Sequence, residues 1–130
     1  MTNATNKTPA QLRAEVIAEF EGYLSEKRRA MDGLRNVLLG QGWIVVSADG
    51  LALTFDTETV GRETKLSNVR VAGGAHKALR MTESDAKRIA ATCTNGRGET
   101  AIARHVRDAL QDEIDSLVKT IEQLKAIQYL

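Results

Sequence analysis

The sequence predicts an α+β fold: a long N-terminal helix, a small antiparallel sheet with a β-hairpin, a short helix, and a long C-terminal amphipathic helix. Three observations carry that reading. Thr8-Pro9-Ala10-Gln11 opens a run of apolar residues at helical spacing. Trp43-Ile44-Val45-Val46, the turn pair Asp49-Gly50 and the alternating Leu51, Leu53 and Phe55 make a hairpin pattern. From Glu99 to Leu130 there is no Pro and no Gly, and apolar residues recur every three or four positions.

Residues 1–8 read as a flexible polar tail and 9–130 as a single domain with extended helices. The first helix starts at Pro9, with Thr8 as its cap and Gln11 completing a capping box. Its apolar positions include Leu12, Val16, Phe20, Tyr23, Leu24, Met31, Leu34 and Leu38, and the spacing carries it to about Leu39. Gly40-Gln41-Gly42 then stops it. The hairpin follows over 43–56. Asp56 to Lys65 is polar and reads as a loop, and Leu66 to Val71 as a third strand. Gly73-Gly74 makes a connection. His76 to Met81 fits a short strand or no regular element. Thr82 caps a short helix over about 83–93, with Ala86, Ile89, Ala90 and Cys93 on its inner stripe. Asn95-Gly96 ends that helix.

The final helix is expected to run from Glu99 to the C-terminus. Val106, Leu110, Ile114, Leu117, Ile121 and Leu124 fall on one seam, with steps of four and three alternating from Leu110. A helix of 32 residues is about 48 Å long, more than the roughly 36 Å diameter of a domain this size. The seam is therefore expected to form a helix-mediated homo-oligomer interface, with pairing to the first helix as the alternative.

Composition narrows the function. Of 130 residues, 42% are hydrophobic and 27% charged, the balance of a folded globular chain. Aromatics at 4% disfavour stacking along single-stranded nucleic acid. One cysteine, Cys93, forms no internal disulfide and suits a reducing compartment, and the polar N-terminus has no apolar signal core, so the expected location is cytoplasmic. No window is apolar enough to span a membrane. Residues 76–107 carry a net +4 and residues 108–130 a net −3.

Lys77, Arg80, Arg97, Arg104 and His105 are the candidate ligand-binding residues. Two glycine loops support them. Asn95-Gly96-Arg97-Gly98 opens a helix and offers backbone N–H groups to an anion, though without Walker spacing or its lysine. Gly73-Gly74 precedes His76 and Lys77. Against these stand plainer readings: turn geometry for the glycines, and a solvated face with Glu83–Lys87 and Arg104–Asp108 pairs for the cations. His76, Cys93 and His105 lack zinc spacing, so no metal or cofactor is expected. Asp56 alone is no acid–base pair, and no catalytic motif is present, so the chain reads as non-enzymatic. The leading expectation is a small binding protein, an inhibitor or accessory factor of the phage or mobile-element kind, occupying an unidentified host protein. The alternatives are an oligomer sequestering a phosphate-bearing or nucleotide ligand, and a nucleic-acid-binding accessory protein.

Overall fold

The computed structural model describes residues 7–38 and 40–127. Within them the chain is α+β, with three α-helices and one four-stranded antiparallel sheet. The helices are α1 (Pro9–Gly33), α2 (Glu83–Ala90) and α3 (Val106–Ala126). The strands are β1 (Trp43–Val46), β2 (Ala52–Val60), β3 (Glu63–Val71) and β4 (Ile102–His105), in the order β3-β2-β1-β4. None of the described helices is long and apolar enough to cross a membrane.

The sheet lies between two helical layers. Ile44 and Val46 of β1 join Leu24 and Leu34 from the α1 side and Val106, Leu110, Ile114 and Ile121 of α3 in one core. Val45 points to the opposite face and packs with Phe55, Ala90 and Ala101 beneath α2. A strand covered on both faces needs no polar alternation, which is why β1 is an unbroken apolar run. Burying each of the Leu, Ile, Val and Phe side chains among these contributes about 1.5–3 kcal/mol.

Thr8 caps α1 as expected, accepting from Gln11 N at 3.1 Å while the Gln11 side chain accepts from Thr8 N at 2.8 Å. The helix ends earlier than its apolar spacing predicts. Gly33 is its last residue, Leu34 turns inward as the cap, and the chain proceeds through turns to β1. Tertiary bonds fix this segment: Arg107 Nη2 donates to Val37 O at 3.0 Å, and Val106 N donates to Gly42 O at 2.8 Å. Gly42 has φ +78°, and a Cβ there would run into Val37. Only glycine passes this bend without strain. Leu39, the expected end of the helix, lies outside the described residues.

Two further expectations are corrected. Residues 56–65 are not a loop: β2 runs on to Val60, and β3 returns from Glu63 after the Gly61-Arg62 turn. Both faces of this ribbon meet solvent, so its strands lack the apolar alternation that marks a half-buried strand. Residues 99–105 are not helix. β4 pairs with β1, Trp43 opposite His105 and Val46 opposite Ile102, and the outer edge of β1 supplies the hydrogen bonds that outweigh local helix preference. The last helix therefore has 21 residues, about 32 Å.

The α3 seam meets the chain's own core. Val106, Leu110, Ile114 and Ile121 are buried, and Leu117 and Leu124 half-buried, with α1 and the sheet as neighbours. Val106, Leu110, Ile114 and Ile121, four of the six residues expected at an oligomer interface, thus do their packing inside one chain.

Candidate functional site

A cleft of about 880 Å³ opens where the two-helix layer meets one end of the sheet. Its volume falls in the range of small-molecule sites, about 300–1,000 Å³. Buried Val46, Ala52 and Ala109 form its apolar base, and Ile102 and Leu117 extend it. The β1–β2 turn contributes Ser47, Ala48 and Gly50, and α1 contributes Tyr23, Glu26 and Lys27. Gly73, His76 and Lys77 come from the loop after β3, Arg104 from β4, and Asp112, Glu113 and Ser116 from α3.

Two kinds of ion pair line this space. Lys27 and Glu113 meet at 2.7 Å with side chains only 17% and 26% exposed. Glu113 also accepts from Ala75 N, at 2.9 Å to Oε2 and 3.1 Å to Oε1, so it ties α3 to the loop carrying His76 and Lys77. Removing either member of such a pair strands a partly buried charge, so this pair holds the site together. Gly74, at φ +136°, lets the loop come this close: a Cβ would lie 2.9 Å from Lys27 Nζ and 2.8 Å from His76 Cε1.

The other pairs are open to water. Lys77 Nζ sits 3.5 Å from Glu26 Oε1, with both side chains more than half exposed. Arg104 pairs with Asp112, whose side chain is also largely exposed. Exposed pairs of this kind contribute about 0–1 kcal/mol, so an incoming anion displaces the carboxylate at little expense. His76 completes the cluster. Its Nε2 lies 3.5 Å from Glu26 Oε1, an ion-pair distance, and neither of its buried ring nitrogens has a hydrogen-bond partner among the described residues. The His76 imidazole, then the Lys77 ammonium, hold the Glu26 carboxyl below its ordinary value.

The five expected ligand residues separate. Lys77 and Arg104 line the cleft together. Arg80 borders a smaller hollow beside Gln41, Gly42 and Met81. Arg97 lies in an exposed turn, where Asn95 Oδ1 accepts from Arg97 N at 2.9 Å and from Glu99 N at 3.0 Å. That turn leads into β4 and opens no helix, so its glycines serve chain reversal. His105 is 4% exposed and is a structural residue. Its Nδ1 accepts from Arg107 N at 3.2 Å, capping α3, and its Nε2 faces Leu38 O at 3.3 Å. These contacts require the tautomer protonated on Nε2. The expected Arg104–Asp108 pair is replaced by Arg104–Asp112, because Arg104 stands on a strand. The expected Glu83–Lys87 pair is present at 3.0 Å.

Glu26, Asp112 and Ser116 carry no motif, and sequence reasoning passes over them, while Tyr23 reads only as an apolar position of the first helix; the packing of α1 against α3 brings the four together. His76 had a signal, since it follows the Gly73-Gly74 pair. Among the described residues no group of three His, Cys, Asp or Glu side chains is placed to hold a metal ion. Comparisons with protein-family models, curated proteins and solved structures find no match for this chain.

Proposed function

We propose that the protein is a binding protein that holds a small phosphate-bearing ligand in the cleft. The observation that carries this reading is the convergence of Lys77 and Arg104, from loop and strand, on one space with an apolar base. The anionic group replaces Glu26 at Lys77 or Asp112 at Arg104, or both, and the apolar part rests on Val46, Ala52, Ile102 and Leu117. Displaced Glu26 and Asp112 then face the ligand as acceptors for its N–H or O–H groups. A nucleoside phosphate has all three features: an anion, a flat apolar face and hydrogen-bond donors. Occupation of a host protein, the leading expectation from sequence, draws on no feature as specific as this convergence.

Thermal unfolding with inorganic phosphate, AMP and ADP as probes tests the reading. A probe at one hundred times its Kd stabilises the fold by about 2.7 kcal/mol. Lys77→Ala and Arg104→Ala each remove a charge-assisted contact of about 1.5–3 kcal/mol, so each weakens binding roughly tenfold or more. Arg97→Ala leaves it unchanged. No stabilisation by any of the three probes, or equal binding by the Lys77 and Arg104 variants, contradicts the proposal.

A further inference from the structure

Beyond ligand binding, the outer half of the β2–β3 hairpin is unlike the rest of the sheet. Beta1 and β4 have four residues each, whereas β2 and β3 have nine. Beta1 pairs with β2 at Val45–Leu53 and Val46–Ala52. Past a bulge in β3 opposite Phe55, where Asn68 takes φ +58°, β2 and β3 pair in register from Asp56–Ser67 to Val60–Glu63. Residues 56–63 are all exposed, and so is Lys65. Beta3 is the terminal strand, so the ribbon presents an open edge with backbone groups unpaired. A two-stranded ribbon without a covering layer is marginally stable in water, which favours a form in which that edge is paired.

We infer that β3 pairs edge to edge with β3 of a second copy of this chain, making a two-fold dimer through the ribbon. Symmetry and charge select the register. In an antiparallel pair with a two-fold axis through it, one residue must face its own copy. With Thr64 on the axis, Lys65 faces the second copy's Glu63, and Glu63 faces its Lys65. Lys65 already lies opposite Glu58 within the chain. The row Glu58, Lys65 and the second copy's Glu63 then alternates in sign, and it occurs twice. Centring on Lys65 would oppose lysine with lysine, and centring on Leu66 would set Glu63 against Val69. Glu63 and Lys65 make no ion pair within the chain among the described residues, so both charges are uncommitted. The ribbon's charges are evenly matched between Asp56, Glu58, Glu63 and Arg62, Lys65, Arg70, which suits a second copy better than a nucleic acid.

Solution mass by light scattering, across micromolar concentrations, tests this with Glu63→Lys, Lys65→Glu and the double exchange. Wild type shows twice the chain mass. Each single reversal places like charges opposite one another twice, and raises the dimer Kd about tenfold or more. The double exchange restores wild-type dimerisation. Amide exchange along 62–66 slows as concentration rises in wild type and in the double variant. A monomer at every concentration overturns the inference and leaves the edge to a different protein. A dimer indifferent to all three variants overturns it too, since its contact lies elsewhere, such as the exposed Leu12 and Val16 of α1. Failure of the double exchange to restore the dimer overturns the register and the inference with it.

Discussion

Single residues decide how the polypeptide passes from α1 to the sheet. Gly42 has no substitute at its positive φ, with Val37 against the position a Cβ would take. Gly42→Ala is expected to destabilise the fold by about 2 kcal/mol or more, measured by urea unfolding followed through the single tryptophan, Trp43. His105 acts beside it. Its ring caps α3 and meets the Trp43 ring edge-on at 5.8 Å. His105→Ala loses the cap, about 0.5–2 kcal/mol, whereas His105→Asn keeps an acceptor and is the milder change. In the cleft, the neighbours of Glu26 lower its ionisation below the ordinary 4.5. The folded value is the lower one, so these contacts stabilise the fold at pH 4.5 and above and fade as pH falls through that lower value. An NMR titration should place the Glu26 midpoint below 4.5, and His76→Ala and Lys77→Ala should each raise it. An unchanged midpoint in both variants would remove the cluster.

At the scale of elements, the sequence is most legible where a buried face, a cap or a turn residue marks the element. The caps of α1 and α2, the β1–β2 hairpin and the α3 seam all declare themselves through period and punctuation. Legibility failed where tertiary contacts override local pattern. Ala101-Ile102-Ala103-Arg104-His105 reads as readily as a helix turn as it does as a strand, and only the open edge of β1 resolves it. Thr57, Glu58 and Thr59 lie in a strand exposed on both faces, so no hydrophobic period marks them. The α3 seam is legible in the sequence but its partner is not, since periodicity names a buried face without naming what buries it. Leu110 is fully buried in the chain's own core. Leu110→Ala should therefore destabilise by about 2–5 kcal/mol while leaving the solution mass of the folded protein unchanged. A lower solution mass in that variant would place the seam between chains.

For the whole molecule, the candidate site is a product of topology. Lys77 and Arg104 are 27 positions apart and share no motif, yet the crossover from β3 through α2 to β4 brings both to one cleft. Residue type marked them as candidates. It marked Arg97 and His105 equally, and only the fold separates a ligand-facing cation from a turn residue and a buried cap. The carboxylates opposite were invisible for the same reason. One account follows for the molecule: a three-layer body with a charged cleft at one end, and a ribbon whose edge joins a second copy. Backbone NMR during titration with AMP decides whether the cleft is the ligand site. The expected shifts are confined to Gly73–Lys77, the β1–β2 turn, Arg104 and Asp112–Leu117, and are abolished in the Lys77→Ala, Arg104→Ala double variant. An unchanged spectrum, or shifts centred on Arg97 and the ribbon, would contradict that assignment.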